Sequence, residues 1–345
     1  MKQKAIYIQA AQQISMQQPL SELWMTEPMT YDELLVKAVN PLFRDYMAAN
    51  EARRMGNLMK RALVVSLKVI KETAVEHPDA IITGTSLGSL DYTERFLSDM
   101  DENDEETLSP TYFMQSTHNT VGSALGIYTK SHGYNTTYSH GAMSFDLSLL
   151  DAWMQMQLGM ISNALVGGHD EMVESYAELL KKTGYVLQEG MTPCSEVAVA
   201  MMLNTEKSDD CLCELAGIRV CNVSSMDELK TQINGMLNNA GMTLADVSAV
   251  MTGENGNEQN DKFYAELLDD SFASISLLRY KNVFGENFTA SALGVYAAAH
   301  CIKNNVVPPF MYSEKSSSKC DSLDNILIIN QMNGKEFSAV LLKKI

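Results

Sequence analysis

Residues 137–171, TYSHGAMSFDLSLLDAWMQMQLGMISNALVGGHDE, decide the fold of this chain. Residues 135–141 predict a strand, residues 143–159 a long helix, and residues 163–168 a buried apolar strand that ends in two glycines. A strand, a helix and a second strand in succession are typical of an α/β protein, in which helices pack against a sheet.

Similar units extend from this stretch in both directions. Further strands are predicted at residues 5–8, 79–85, 244–253, 325–330 and 338–343. Further helices are predicted at residues 51–76, 90–100, 114–130, 226–240, 260–268 and 290–303. The segments PDAIITGTSLG (78–88) and DVSAVMTGENG (246–256) share one pattern, a short apolar strand that ends in Thr-Gly. We therefore predict one body made of two similar halves, residues 1–205 and 206–345.

Composition excludes several classes of protein. The 345 residues are 46% hydrophobic and 20% charged, which is ordinary for a globular protein. No apolar stretch reaches the length of about 18 residues that a membrane helix needs, and the N-terminus lacks the apolar core of a signal peptide. The six cysteines form no CxxC pair, so we expect free thiols and a cytoplasmic protein. A net charge of −17 disfavours nucleic acid as a partner.

Motifs in a characteristic order resemble those of the β-ketoacyl-acyl-carrier-protein synthases. The helix that opens with EARRM (51–55), the loop ITGTSLGSL (82–90) and the segment 110–133 match the first part of that pattern. The nucleophile region of the family resembles residues 137–171, and later motifs resemble SEVAVAMML (195–203), residues 281–285 and VVPP (306–309). The resemblance covers nearly the whole chain. It implies a thiolase-like, five-layered α-β-α-β-α fold with two pseudo-symmetric halves.

Condensing enzymes of this family use one cysteine and two histidines. The cysteine lies at a helix N-terminus, where the helix dipole and the backbone N–H groups favour a thiolate and later an oxyanion. The two histidines stabilise the enolate that forms when a malonyl thioester loses carbon dioxide. On the alignment that the resemblance implies, the three positions hold Ala142, Gly253 and Glu286. The catalytic set is therefore predicted to be absent.

Other residues near these positions are candidates for a displaced site. Ser139, His140 and Ser144 lie beside Ala142, but a serine without an adjacent base is a poor nucleophile. The remaining histidines are interpreted as packing residues whose ring nitrogens bond to the backbone; they are His77, His118, His132, His169 and His300. No pair of histidines or cysteines has metal-ligand spacing, so we expect neither a metal nor a cofactor.

A basic cluster stands out in this acidic chain, and it consists of Arg53, Arg54, Lys60 and Arg61. Related synthases present basic residues to the acidic carrier protein at the place of Arg53 and Arg54, so the resemblance implies a partner-binding surface there. The alternative is an ordinary solvated helix face. Glu196 and Lys281 fall where the family keeps an acidic and a basic residue, and we expect structural roles for both.

The resemblance and the three missing groups together predict a non-catalytic partner of an active ketosynthase, similar to the chain-length factors of fatty-acid, polyketide or polyene-type synthesis. Its partners would be that synthase and an acyl carrier protein, in a homodimer or a heterodimer. The alternative hypothesis is an active acyltransferase or condensing enzyme that uses Ser139, His140 or Ser144. A third is a self-associating protein that no longer meets carrier proteins.

Overall fold

The structure is a computed structural model that describes residues 3–103, 108–185, 192–268, 272, 274–316, 318–320 and 322–345. Its strands are β1 (Tyr7–Ile14), β2 (Leu35–Val36), β3 (Ala80–Gly84), β4 (Tyr134–Tyr138), β5 (Asn163–Asp170), β6 (Cys194–Ser195), β7 (Val197–Asn204), β8 (Cys213–Asn222), β9 (Ala249–Thr252), β10 (Ser276–Arg279), β11 (Asn325–Met332) and β12 (Glu336–Lys343). Its helices are α1 (Ala49–Ala52), α2 (Asn57–Thr73), α3 (Leu90–Glu102), α4 (Pro110–Ser116), α5 (Thr120–Thr129), α6 (Ser144–Leu158), α7 (Glu174–Lys182), α8 (Met226–Asn239), α9 (Glu258–Leu267), α10 (Lys281–Phe284) and α11 (Ser291–Asn304).

Ten strands form one continuous sheet in the order β10-β9-β11-β12-β8-β1-β7-β5-β3-β4. The sheet divides into two half-sheets with the same topology, joined where β1 pairs with β8 through Tyr7–Glu214 and Ile8–Cys213. In the first half, β4, β3 and β5 are parallel, and β7 and β1 follow antiparallel. In the second half, β10, β9 and β11 are parallel, and β12 and β8 follow antiparallel. The strands of the two Thr-Gly segments, β3 and β9, occupy the same place in each half.

Helices form three layers around these two half-sheets. α6 and α11 each contact strands of both halves, so they lie between them. α2 and α5 pack on the outer face of the first half, and α8 and α9 on the outer face of the second. The five-layered thiolase-like arrangement predicted from the sequence is confirmed.

The central helix α11 and the outer helix α2 are buried in different ways. α11 is rich in small residues, Ala292, Gly294 and residues 297–299 among them, and its side chains from Ser291 to Ile302 are buried. Small side chains let a helix approach sheets on both of its sides, which a helix with one apolar stripe does not do. α2, in contrast, is amphipathic and covers a single face of the sheet.

Some predicted boundaries were wrong. The region 114–130, predicted as one helix, is two helices, because Thr117 is extended and ends α4 before α5 begins. The first strand is longer than predicted and starts at Tyr7. The predicted boundary between residues 205 and 206 lies in the loop between β7 and β8, and it stays a prediction. Among the helices that the structure describes, none combines the length and the apolar character needed to cross a bilayer.

Candidate functional site

The start of α6 is the place where the family alignment puts a nucleophile. Ala142 is buried just before this helix, and its methyl group has no nucleophilic atom. β3 approaches the same helix end so closely that a Cβ built on Gly84 would lie 2.5 Å from the carbonyl oxygen of Ser144. Only glycine fits there, so the sequence ITGTSLG brings the β3 loop directly against the first turn of α6.

A methionine from the other half covers this helix end. The backbone N–H of Ala142 points at the sulfur of Met332 at 3.4 Å, and a Cβ built on Gly141 would lie 2.6 Å from the same sulfur. Met332 is the last residue of β11 and begins the turn to β12. A backbone N–H at a helix N-terminus is the group that would stabilise an oxyanion. Here the thioether of Met332, a weak hydrogen-bond acceptor, lies where that oxyanion would be.

Two tyrosines fill the space at the first histidine position. A Cβ built on Gly253 would lie 2.7 Å from the hydroxyl of Tyr264 and 2.9 Å from that of Tyr280. Both hydroxyls are fully buried and have no hydrogen-bond partner. Burial raises the pKa of both well above the ordinary value, so they stay protonated. No side chain larger than that of glycine fits at residue 253 unless these rings move.

The second histidine position holds a buried ion pair. The carboxylate of Glu286 accepts two bonds from the Nζ of Lys281, at 2.8 and 2.9 Å, and one from the amide of Asn255 at 2.7 Å. Lys281 and Glu286 are both buried. The negative charge of Glu286 is compensated locally, and the ammonium of Lys281 is not free to bind an oxyanion. Lys281 has the structural role expected from the sequence.

Two of the three positions, Ala142 and Gly253, lie beside one residue, Asn330. The side-chain amide of Asn330 donates to the carbonyl oxygen of Ala142 at 2.9 Å, and its oxygen is 3.4 Å from a Cβ built on Gly253. Asn330 also donates to Asp146 at 3.3 Å, a buried carboxylate that accepts bonds from Ser291 and Ser338. Polar packing residues thus lie between two of the positions that the family resemblance predicts as catalytic.

The candidate substitutes are already engaged or exposed. The hydroxyl of Ser144 is buried, donates to the carbonyl oxygen of Gly141 at 2.7 Å and accepts from the backbone N–H of His140. The imidazole of His140 points away to Glu336, at 2.7 Å, and is half-exposed. Ser139 makes only a 3.5 Å contact, with the carbonyl oxygen of Ser86. Neither serine lies against a ring nitrogen of His140, so no serine–histidine pair forms.

A thiol that was not predicted as a site residue, that of Cys194, lies near this site. Cys194 is buried, and the strand to which it belongs bonds to the backbone of Glu286. Burial, with the nearby Glu286 carboxylate, raises the pKa of Cys194 to about 12. A thiol of that pKa is not a nucleophile at neutral pH. Within the described parts of the chain, no group of three or more histidine, cysteine, aspartate or glutamate side chains could hold a metal ion.

The predicted basic surface separates into two parts. Arg53 and Arg54 follow α1 and are exposed, while Lys60 is half-buried and lies 5.0 Å from the ring of Phe43. The assignment of Arg61 to a partner-binding surface is corrected. Its side chain is 3% exposed, and its guanidinium pairs with Glu196 at 2.8 Å and donates to Asn40 at 2.7 Å.

Sequence reasoning missed the residues that close the site, Met332, Tyr264 and Tyr280. For Met332 the signal in the sequence is indirect: Asn330-Gln-Met-Asn-Gly-Lys-Glu stands where the family resemblance implies a glycine-rich C-terminal loop. The interpretation of the histidines as packing residues bonded to the backbone was right only in part for His77 and His118, whose rings lie 2.6 and 3.2 Å from backbone oxygens but which are exposed. It was wrong for His169, whose two ring nitrogens are buried without a partner.

Comparisons with known proteins identify the family of this chain. The family model for the β-ketoacyl synthase N-terminal domain matches residues 24–260. That match spans more than half of the chain, so the protein belongs to the β-ketoacyl synthase family. A search of curated proteins finds no match.

Solved structures share the fold over almost the full length. The structure described as the ishigamide ketosynthase/chain length factor is 15% identical, with a TM-score of 0.83 over 99% of this chain and 100% of that one. A ketosynthase, ApeO, in complex with its chain length factor, ApeC, from Xenorhabdus doucetiae is 14% identical, with a TM-score of 0.81 over 99% and 98%. A β-ketoacyl synthase from Burkholderia phymatum STM815 is 11% identical, with a TM-score of 0.81 over 99% and 100%.

Proposed function

We propose that this chain is a non-catalytic, chain-length-factor-like partner of an active ketosynthase in fatty-acid, polyketide or polyene-type synthesis. The observation that carries the proposal is the closed site at the start of α6. Neither a thiolate nor an imidazole is present at Ala142, Gly253 and Glu286, and Met332 covers the N–H that an oxyanion would need. A condensation needs all of these functions.

An exposed sheet edge supports a partner subunit. Among the described strands, β4 is the edge of the sheet in the first half and has β3 as its single neighbour. Exposed apolar side chains flank it, with Ile127 on α5 at 78% exposure, Tyr134 on β4 itself, and Met154 on α6. A strand edge bordered by apolar side chains favours pairing with another chain. We assign this β4 edge, defined by Ile127, Tyr134 and Met154, to the contact with the synthase.

The exposed pair Arg53 and Arg54 supports a second partner, an acyl carrier protein. The chain carries a net charge of −17, so a positively charged pair on its surface is a local exception. Carrier proteins of this family's pathways are acidic, and a local basic pair would guide such a partner to one place on an otherwise repulsive surface.

The alternative, an active enzyme with displaced groups, is disfavoured by the positions of those groups. Ser144 is buried and bonded within its own helix end, and the ring of His140 pairs with Glu336 instead of with a serine. A nucleophile and its base must lie within hydrogen-bond reach, and these do not.

The decisive experiment is intact-protein mass measurement after incubation with acyl- and malonyl-carrier protein, with and without a candidate synthase. We expect no acyl adduct on this chain, and condensation product only when the synthase is present. A stoichiometric adduct on this chain alone would overturn the proposal and support the enzyme hypothesis.

Carrier docking is tested by charge reversal. We expect Arg53→Glu with Arg54→Glu to weaken binding of the acyl carrier protein about tenfold or more at low salt, because rim charges steer association. Lys343→Glu with Lys344→Glu, at two adjacent exposed lysines at the end of β12, is the control matched in charge. Equal loss in both variants, or in neither, would mean that these arginines are an ordinary solvated surface.

A further inference from the structure

A groove lies between α3 and the start of α7, and it shares no lining residue with the site at α6 or with the β4 edge. Four apolar side chains line it, Leu90 and Leu97 from α3 and Val173 and Tyr176 from the start of α7. Its free volume is about 380 Å³. A groove of that size between two helices has room for side chains of another molecule.

The groove lies on the face of α3 that no other helix covers. Tyr92 and Phe96 of α3 pack against two rings of α4. Residues that recur every three or four positions share the opposite face of α3 and line the groove; they are Leu90, Glu94, Leu97 and Asp101. Leu97 is 58% exposed. A large apolar side chain exposed beside a groove is typical of an interaction surface.

The rim of the groove carries negative charge. Glu94 accepts a hydrogen bond from the hydroxyl of Ser175, and this bond leaves the charge of the carboxylate in place. Asp101 is exposed, and no cation of the described residues pairs with it. By contrast, Asp91 on the same helix pairs with Arg95 at 3.1 Å. The groove therefore combines an apolar floor with a negative rim that the chain itself does not neutralise.

Helix stability does not account for the acidic end of α3. Its last turn holds Asp99, Asp101 and Glu102 and no basic residue. The C-terminal end of a helix is the negative end of the helix dipole, so acidic side chains there destabilise the helix. Residues that lower stability without an internal partner are typical of surfaces that serve a function.

We propose that the groove between α3 and α7 binds a basic amphipathic helix of a partner protein. An apolar side chain of that helix would enter between Leu97 and Tyr176, and its lysines or arginines would lie beside Glu94 and Asp101. A helix fits along a groove between two helices because its side-chain ridges pack between theirs. The negative rim repels an acidic carrier protein, so this partner differs from the carrier of the proposed function. The groove stands or falls separately from that function.

The test is a fluorescence-anisotropy titration of the full chain against a labelled synthetic amphipathic helix of leucine and lysine. The same helix with glutamate in place of lysine is the control probe. We expect saturable binding of the lysine probe that weakens as salt is added, because salt screens attraction between surface charges. We expect no saturable binding of the glutamate probe.

Two substitutions at exposed positions locate the bound probe. We expect Asp101→Lys to weaken binding about tenfold and Leu97→Gln about fivefold. Asp101→Lys should also stabilise α3, so weaker binding does not come from unfolding. The matched controls are Glu266→Lys, at an exposed acid in the last turn of α9, and Leu42→Gln, at a leucine that is 61% exposed. Both controls should keep the affinity of the unmodified chain.

Four results would overturn the proposal. The first two are no saturable binding of the lysine probe and equal binding of both probes. The third is equal loss in Asp101→Lys and Glu266→Lys, which would mean general attraction to an acidic surface. The fourth is unchanged binding to Leu97→Gln, which would mean that no apolar contact forms in the groove. Urea unfolding of each variant verifies that it is folded.

Discussion

At the scale of single residues, packing contacts close the site, in addition to the absence of the catalytic groups. Met332 lies 3.4 Å from the N–H of Ala142, and the hydroxyls of Tyr264 and Tyr280 occupy the space beside Gly253. Interiors are packed closely, so a new side chain at residue 253 would have to displace an aromatic ring. Restoring one catalytic group therefore does not restore the site.

Ala142→Cys tests this argument directly. We expect the variant to form no condensation product and to release no carbon dioxide from malonyl-carrier protein, because no imidazole lies at residues 253 and 286. The measurements are product analysis and carbon dioxide release, with the unmodified chain as the control. Turnover by Ala142→Cys alone would show that Met332 moves aside and that the tyrosine hydroxyls replace the histidines.

The order of the motifs along the chain predicts Ala142, Gly253 and Glu286 as the family's catalytic positions, and that placement stays a prediction. The sequence could not show that Lys281 neutralises Glu286, because the pairing of two side chains depends on their distance in the folded chain. It also misassigned Arg61. A basic residue on an amphipathic helix predicts exposure, and only the fold brings Glu196 and Asn40 to its buried guanidinium.

At the scale of elements, a buried carboxylate joins β5 to the start of α3. Glu171, just past the end of β5, accepts from the backbone N–H of Asp91 at 3.0 Å and from the hydroxyl of Ser89 at 3.1 Å. α3 has no side-chain cap from its own N-cap residue, so Glu171 takes that place. Burial is nevertheless the largest influence, and it raises the pKa of Glu171 to about 7.

This raised pKa predicts how stability depends on pH. Because the folded pKa lies above the unfolded value of about 4.5, the folded state binds the proton more tightly and is stabilised at low pH. That contribution, on the order of 3 kcal/mol, is lost as the pH rises from about 4.5 to about 7. Glu171→Gln keeps the acceptor oxygen and should reduce this slope, as measured by urea unfolding at pH 5, 6, 7 and 8. Asp146 and Asp170, whose pKa values burial also raises, keep their own contribution.

Glu174→Gln is the matched control, since Glu174 is an exposed carboxylate at the first residue of α7. Its unfolding curves should keep the slope of the unmodified chain. A slope that persists undiminished in Glu171→Gln would assign the pH dependence to another group. The sequence predicts correctly that α3 begins at residue 90. It does not predict the cap, because Glu171 is distant in the chain and is brought to the helix end only by the fold.

At the scale of the whole molecule, one topology is repeated in two halves whose sequences resemble each other only weakly. The strands β3 and β9 hold equivalent places, and both are followed along the chain by the same Thr-Gly pattern at their ends. The outer edges of the two half-sheets differ in their exposure. β4 carries half-buried and exposed residues throughout, whereas Ser276 and Leu278 of β10 are buried. The asymmetry makes the β4 edge the better candidate for an interface.

Ile127→Asp tests the proposed β4 edge. Ile127 is 78% exposed, so the change should leave the free energy of unfolding nearly unchanged while it places a charge in an apolar contact. We expect the complex with the synthase to weaken at least tenfold, since a desolvated unpaired charge costs more than about 1.4 kcal/mol. Leu42→Asp, at a leucine that is 61% exposed and lies outside the β4 edge, is the matched control. Native mass spectrometry at several protein concentrations measures how much complex each of the two variants forms with the synthase. Equal weakening by Leu42→Asp would place the contact elsewhere, and an unchanged complex with Ile127→Asp would remove the β4 edge from the proposal.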